Sequence, residues 1–206
     1  MNFFGHAAAA CHVDDHPAFI LGAMAPDLLP LCGAVASEET SPRVAAGRAH
    51  HLSVDHRFHA NPAFTQLAAW AARSLIEDGV ARGAARGAAH VGIELCLDGV
   101  LAVEASARAA YTRSLAEADA AGVPFRWRDE VSQSRWCRLI ARLRGGPVPD
   151  AYRDPNFVTD RVVGALAGRP RLALSGQEAV ALRRFVPSLA ARVATDAQAL
   201  AVLALG

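Results

Sequence analysis

Apolar residues along the chain recur at helical spacing. In the segment that follows Pro62, the residues Phe64, Leu67, Ala71 and Leu75 fall three and four positions apart, as on one face of an α-helix. Hydrophobic residues make up 52% of the chain. They are dominated by alanine, which has the highest helix propensity. The sequence therefore predicts an all-α protein, with residues 1 to 206 forming a single compact helical bundle.

Prolines and polar residues predict where the helices begin and end. A helix is predicted from Pro42 to Ala60, because proline suits a first turn and Asn61-Pro62 cannot continue it. The polar stretch "SEETSP" before it is expected to be a loop. The preceding helix is expected to break near Pro26, which would present Asp27 at the mouth of a turn. Later helices are predicted around residues 62–78, 82–105, 107–122, 129–146, 157–167 and 176–203.

Charge and composition exclude several classes of protein. The net charge is +1, from 21 basic and 20 acidic residues, so no global field indicates a nucleic-acid or membrane partner. Every basic residue is arginine, which excludes a Walker-type phosphate loop and a Schiff-base lysine. The four cysteines form no C-x-x-C pair. With no expected signal peptide or membrane span, the sequence predicts a cytoplasmic protein.

The histidines are concentrated in one part of the chain, since all eight lie within the first 90 residues. Two predicted helices each carry three potential ligands at four-residue spacing, which places them on one stripe. They are His51, Asp55 and His59 on the first helix, and His90, Glu94 and Asp98 on the second.

Two such stripes that face each other would enclose a metal site. The first and last residues of a stripe stand about 12 Å apart along the axis, too far to bind one ion together. Either two metals bind, or one binds and the other residues support it. His6 and Asp27 are natural additional ligands. The predicted metal-binding residues are His6, Asp27, His51, Asp55, His59, His90, Glu94 and Asp98.

A structural interpretation competes with this one. Asp55 alone could form a salt bridge with Arg48 or Arg57. His12, His16 and His56 are expected to be surface or structural histidines. The paired stripes favour a metal, because buried carboxylates among alanines would each cost several kcal/mol without a cation or hydrogen-bond partner.

Four motifs resemble those of acyl carrier protein phosphodiesterases, relatives of the HD-type metal phosphohydrolases. In chain order they are "MNFFGH", "GAMAPDL", "HLSVDHRFHANPAF" and "LDGVLA", and they cover about the first 105 residues. The resemblance implies an HD-domain-like helical fold and a divalent ion, typically manganese. It also implies release of phosphopantetheine from an acidic carrier protein. The residues that match the family's motif positions are His6, Asp27, His51, Asp55 and Asp98.

The chain departs from that family's pattern in three places. An aspartate of the third motif is His59 here, and the histidine after the final aspartate is Gly99. The polar run that follows the opening histidine has become alanine. An imidazole in place of a carboxylate shifts the metal preference from manganese toward zinc, iron or nickel. The H-x-x-x-E spacing of His90 and Glu94 is more similar to zinc-dependent phospholipase C, a second and weaker resemblance.

These features predict a metal-dependent phosphoester hydrolase. The expected ion is manganese or zinc, with iron or nickel as alternatives. Glu94 is the expected base, and Asp55 and His90 are further catalytic candidates. The expected phosphate-binding residues are Arg48, Arg57 and Arg86. The alternative is a metal-binding or interaction protein of the same fold without turnover, which Gly99 and the alanine run favour.

A basic segment, "RWRDEVSQSRWCRLIARLRGG", adds a possible interaction surface. Its arginines and tryptophans could stack on bases or dock an acidic carrier protein. The other interpretation is an amphipathic helix with an apolar face turned inward. That face would consist of Trp136, Leu139, Ile140 and Leu143.

Overall fold

The computed structural model describes residues 1–39, 41–120 and 125–205 and is 79% helical, which confirms the predicted all-α class. The helices are α1 (Phe3–Cys11), α2 (Pro17–Cys32), α3 (Pro42–Ala60), α4 (Pro62–Glu77), α5 (Arg82–Leu101), α6 (Ala105–Ala120), α7 (Glu130–Arg144), α8 (Pro155–Ala167) and α9 (Gly176–Leu205), with a 3₁₀ turn at Asp150–Arg153.

Two short strands supplement the helices. β1 (Ala36–Glu39) pairs in antiparallel fashion with β2 (Phe125–Trp127). The expectation that residues 37–39 form a loop was therefore wrong. Besides the backbone ladder, an ion pair of 3.1 Å joins Glu38 to Arg126 across the two strands. A strand this short and polar lacks the apolar alternation from which a sequence pattern is read.

Helix α2 is continuous, although a break was expected near Pro26. Both Pro26 and Pro30 lie inside it, and Asp27 occupies a half-buried position within the helix rather than a turn. Proline removes one helical hydrogen bond. Packing of α2 against α1 and α6, which fully buries Leu21 and Leu28, outweighs that loss. The helix ends at Gly33, whose φ of 63° is the left-handed cap that glycine favours.

The chain forms two compact units. Unit 1 comprises Met1–His56, Val103–Pro149 and Ala204–Gly206, and unit 2 comprises Arg57–Ala102 and Asp150–Leu203. Helix α3 therefore contributes residues to both. The expectation of one domain over the whole chain stays a prediction.

The core of unit 1 is formed by helices α1, α2, α6 and α7. Helix α1 packs on α2 and α6, and α2 also packs on α7. The fully buried ring of Phe4 contacts Tyr111 edge-on, with centroids 5.5 Å apart. Trp136 is buried edge-on against Phe125, at 5.4 Å. The contact of Phe4 with Tyr111 holds α1, the helix that carries His6, against α6.

Two glycines let the backbones of α2 and α3 touch. A Cβ atom on Gly22 would collide with the carbonyl of Val44, and one on Gly47 would collide with the carbonyl of Phe19. Both positions therefore require glycine, for reasons of space rather than of backbone angle. This close approach fixes the positions of Asp27 on α2 and His51 on α3.

Unit 2 is organised around α5, which packs on α4, α8 and the 3₁₀ turn. At Gly83 a Cβ would lie 2.9 Å from the carbonyl oxygen of Arg171, so this glycine allows close backbone approach. Gly87 instead faces the side chain of Leu166, at 3.2 Å. None of the helices in the described ranges combines the length and apolarity that a bilayer crossing demands.

Candidate metal centres

In unit 1, three of the predicted ligands come together from three different helices. His6 of α1, Asp27 of α2 and His51 of α3 each offer a ligand atom, and these atoms lie within 4.8 Å of one another. We call this set the buried triad. His6 is 0% exposed and His51 is 6% exposed, whereas Asp27 is half-buried. Two imidazoles and one carboxylate are a common protein ligand set for zinc and for iron.

A backbone hydrogen bond fixes the proton of His51. Its Nδ1 lies 2.8 Å from the carbonyl oxygen of Ala23. A carbonyl oxygen can only accept, so Nδ1 carries the proton and donates it. The lone pair of the neutral ring is then on Nε2. Metal-binding histidines usually have this arrangement, in which the second ring nitrogen donates to a carbonyl or carboxylate.

His6 is a buried imidazole with unmet hydrogen-bonding capacity. Neither of its ring nitrogens makes a hydrogen bond within the described part of the chain. Its ring stacks on that of His51, with centroids 3.7 Å apart. Burial lowers the pKa of His6 to about 3 despite the nearby carboxylate of Asp55, and burial also lowers the pKa of His51. Both rings are therefore neutral at neutral pH and can donate a lone pair to a cation.

Asp55 lies beside the buried triad. Its Oδ1 is 3.6 Å from Nε2 of His6 and 2.8 Å from the α-amino nitrogen of Met1. With its side chain 34% exposed, Asp55 lies at the solvent side of the cluster. It is a candidate for a second carboxylate ligand or for a group that accepts a proton.

Unit 2 holds a second set of three ligands, His59, His90 and Glu94, which we call the open triad. Their ligand atoms also lie within 4.8 Å of one another. Nε2 of His59 is 3.1 Å and Nε2 of His90 is 3.0 Å from the same carboxylate oxygen, Oε1 of Glu94. The two rings stack with centroids 4.7 Å apart. The side chains of His59 and His90 are 31% and 45% exposed.

The carboxylate of Glu94 is held in its charged form. Burial raises the pKa of this group, but hydrogen bonds from His59 and His90 together lower it by more, so the net pKa lies well below its usual 4.5. A carboxylate with so low a pKa is a weak base. Glu94 is thus better suited to hold the two imidazoles, or an ion, than to accept a proton, and its expected role as a base stays a prediction.

The eight predicted ligands are therefore divided between the two units. His51 and His59, which share one stripe of α3, belong to different triads. Asp98 is 1% exposed and belongs to neither triad. Whether any of the eight binds metal stays a prediction.

Gly99 has a packing role that bears on the family pattern. A Cβ at this position would collide with the carbonyl of Tyr152. No histidine side chain can occupy position 99 in this fold without a shift of the backbone. The departure from the phosphodiesterase pattern at this point therefore follows from the close contact between α5 and the 3₁₀ turn.

The three arginines expected to bind phosphate differ in their present partners. Arg48 forms an ion pair of 2.6 Å with Glu39. Arg57 and Arg86 form no ion pair with any residue that the structure describes. Arg57 is half-buried, and its Nε lacks a hydrogen-bond partner there. Arg57 and Arg86 are therefore the two whose charge is available to an anion.

The histidines expected to be structural or exposed lie outside both triads. Nδ1 of His16 accepts a hydrogen bond from the backbone N–H of Ala18 at 3.2 Å and caps α2. His12 is 41% exposed and lies 3.8 Å from Glu104. His56 is exposed on α3. These contacts agree with the structural interpretation of the three residues.

The basic segment forms β2 and the amphipathic helix α7. Its inward face is the predicted one, since Trp136, Leu139, Ile140 and Leu143 are all buried. Trp136 is only 1% exposed and cannot stack on a base. Trp127 on β2 is half-buried, so of the two tryptophans it alone keeps part of its surface exposed, and an interaction surface on this segment stays a prediction.

Sequence patterns gave no sign of the backbone carbonyl of Ala23, which fixes the tautomer of His51. A main-chain acceptor carries no residue-type signal, so only coordinates identify it. No protein-family model, no curated protein and no solved structure matches this chain. The resemblance to the phosphodiesterases rests on the four motifs alone.

Proposed function

We propose that this chain is a metal-dependent phosphoester hydrolase whose divalent ion is held by the buried triad. The observation that supports this most is that His6, Asp27 and His51 bring three ligand atoms within 4.8 Å of one another. Both nitrogens of His6 are buried and make no hydrogen bond to any residue that the structure describes. Burying polar atoms without partners costs free energy. A cation in the cluster would take the lone pair of one of these two nitrogens and so remove part of that cost.

The residues present fit zinc or iron better than magnesium or calcium. Two neutral imidazoles and one carboxylate match the intermediate softness of zinc and iron, whereas the harder ions prefer oxygen ligands alone. Manganese, the ion that the phosphodiesterase resemblance implies, is accommodated by the further carboxylate of Asp55. When bound, such an ion polarises a phosphoryl oxygen and lowers the pKa of a water molecule.

The chain's own groups support the remaining steps of hydrolysis. Asp55 is exposed on one side of the triad and is placed to accept a proton. The hydrogen bond to Ala23 keeps His51 in one orientation throughout the reaction. The phosphate contacts expected of Arg57 and Arg86 stay a prediction, because both residues belong to unit 2 whereas the buried triad belongs to unit 1.

The substrate class follows from the resemblance. A phosphodiester that links phosphopantetheine to an acidic carrier protein is the first candidate, and a phospholipid headgroup is the second. The open triad, His59, His90 and Glu94, is proposed to bind a second ion more weakly. Binding there must replace the two hydrogen bonds that the imidazoles already make to Glu94.

Elemental analysis and a chromogenic phosphodiester test this proposal. We expect the purified protein to retain a transition metal and to hydrolyse bis(p-nitrophenyl) phosphate with manganese, zinc, nickel or iron(II). Asp27→Asn preserves the shape but removes the charge, and should lose both metal and turnover. Asp15→Asn is the matched control, because Asp15 is 83% exposed in the same unit. Equal behaviour of the two variants would contradict the proposal.

A second candidate is a metal-binding protein without turnover. The packing of Gly99 against Tyr152 favours it, since the histidine of the family pattern cannot be present there. Metal retention that depends on Asp27, together with no hydrolysis under any ion, would support this candidate over the hydrolase.

A further inference from the structure

A basic cleft in unit 1 belongs to neither triad. It has a volume of about 490 Å³ and lies between the end of α2 and helix α7. This volume is within the range of small-ligand sites, roughly 300–1,000 Å³. Three arginines and three small or apolar residues line it, namely Leu31, Cys32, Arg135, Arg138, Leu139 and Arg142.

All the charged side chains that line the cleft are positive. Arg135, Arg138 and Arg142 follow one another at three- and four-residue spacing on α7, so they project from the same face. No carboxylate lines the cleft. Within the described ranges, neither Arg138 nor Arg142 forms an ion pair. Three guanidinium groups that repel one another favour an anion among them.

One of the three arginines is already held in place. An Nη1 hydrogen of Arg135 is donated to the carbonyl oxygen of Gly33 at 3.0 Å. A Cβ on Gly33 would lie 3.3 Å from that nitrogen, so the glycine at the end of α2 leaves room for the guanidinium. This contact reduces the conformational entropy that Arg135 would lose on binding a ligand.

Each of the two helices also contributes an apolar side chain to the cleft. Leu31 of α2 is 43% exposed, and Leu139 of α7, beside the arginines, is 2% exposed. Exposed apolar surface beside a few convergent polar groups is the usual composition of a ligand site. The cleft therefore offers contacts to both a charged head and an apolar chain.

We propose that this cleft binds a small amphiphilic anion, with a phosphate or carboxylate head on the three arginines and a short apolar chain against Leu31 and Leu139. The residues that line the cleft include no aromatic side chain on which a base could stack, which argues against nucleic acid as its ligand. The proposal is independent of the metal centres, since it uses none of their residues.

Calorimetric titration of the full chain with octyl phosphate tests the proposal, with octanoate, inorganic phosphate and octylammonium as comparison ligands. We expect both amphiphilic anions to bind, inorganic phosphate to bind more weakly, and octylammonium not to bind. Arg138→Gln should weaken the binding of octyl phosphate by about 10-fold. The double variant Arg138→Gln/Arg142→Gln should weaken it by about 100-fold. Leu31→Ala should weaken the binding of octyl phosphate but leave the affinity for inorganic phosphate unchanged.

Arg144→Gln is the control, because Arg144 is on the same helix but does not line the cleft. The four substituted side chains are exposed, so each variant should fold. They are Leu31, Arg138, Arg142 and Arg144. The proposal would be overturned if Arg144→Gln lost as much affinity for octyl phosphate as Arg138→Gln does. Binding of octylammonium as tight as that of octyl phosphate would also overturn it. So would binding to phosphatidic acid vesicles with none to soluble octyl phosphate, since that result indicates a membrane surface as the partner.

Discussion

The two triads contain the same kinds of ligand but differ in how those ligands are satisfied. In the buried triad, both nitrogens of His6 lack hydrogen-bond partners among the described residues, and burial keeps the rings of His6 and His51 neutral. In the open triad, both imidazoles already contact one oxygen of Glu94. Within the described ranges the first set leaves the ring nitrogens of His6 without a hydrogen bond, whereas in the second set both imidazoles have a carboxylate partner. Ligand identity and spacing alone do not distinguish the two cases.

The two triads also differ in solvent exposure. The imidazoles of the open triad are about a third to a half exposed, so hydrogen bonds to Glu94 compete with water. His6 of the buried triad is 0% exposed, so bulk solvent does not reach its ring. We therefore expect a tight ion in unit 1 and a weak one in unit 2.

The largest expected effect is loss of a ligand from the buried triad. Replacing a group that only supports a metal ligand already costs about 10–100-fold in affinity or activity, so His51→Gln should cost more than about 100-fold in both. Glu94→Gln should leave the tight ion in place. Metal content after dialysis against a chelator measures the difference. His56→Gln, at an exposed position of the same helix, is the control, and a tight ion lost only with Glu94→Gln would reverse the comparison.

The next largest effect concerns the glycine contact beneath the buried triad. Gly47→Ala forces a methyl group into the carbonyl of Phe19, and we expect it to lower the free energy of unfolding by about 3 kcal/mol. A Cβ on Gly164 in α8 would meet no atom of the described residues within 4 Å, so Gly164→Ala should instead stabilise by about 0.5–1 kcal/mol. Urea unfolding compares the two. Equal effects would show that α2 and α3 are not in close contact.

The pH dependence of metal-free protein should distinguish the triads. Burial lowers the pKa of His6 from 6.5 to about 3. Between those values the unfolded chain binds a proton that the folded chain does not, so stability falls as the pH drops below 6.5. The loss is at most about 1.4 kcal/mol per pH unit for this group. Glu94, whose pKa is lowered, keeps its contribution until the pH falls below 4.5.

Unfolding in urea between about pH 7 and pH 5, with a chelator present, measures this slope. The stability lost between these pH values should be the same in the original protein and in Glu94→Gln, because the carboxylate of Glu94 does not titrate in that range. If the free energy of unfolding did not change with pH, or if Glu94→Gln removed its pH dependence, the assignment of this dependence to His6 of the buried triad would be contradicted.

The smallest expected effect is at Arg48. Its ion pair with Glu39 lies at the surface, with the arginine side chain 57% exposed, so Arg48→Gln should change stability by less than about 1 kcal/mol. It should also leave hydrolysis unchanged, because the charge is already neutralised. A clear fall in phosphodiester turnover would show instead that Arg48 exchanges Glu39 for the substrate.

Much of the helical framework was predictable from the sequence. The bounds of α3, Pro42–Ala60, follow from a proline in the first turn and the Asn61-Pro62 pair after its end. The side-chain amide oxygen of Asn61 accepts from the N–H of Ala63 at 2.8 Å and caps the next helix. The supposed break at Pro26 was wrong, because tertiary packing overrides a single lost hydrogen bond.

The candidate site was predictable in membership but not in arrangement. All six residues of the two triads are among the eight predicted ligands. Four-residue spacing identified four of them, and His6 and Asp27 were added as further ligands from other helices. Helical periodicity does not reveal which compact unit each residue of a long helix faces. It therefore gave no basis for assigning His51 and His59 to different groups.

The hydrogen bond between His51 and the carbonyl of Ala23 has a consequence for protein engineering. Every amino acid carries the same main-chain carbonyl, so substitutions at position 23 change the bulk there but not the acceptor. The orientation of this imidazole is thus encoded by the course of a helix rather than by a neighbouring side chain. Transplanting the three ligands into another helical scaffold would require that stretch of backbone as well.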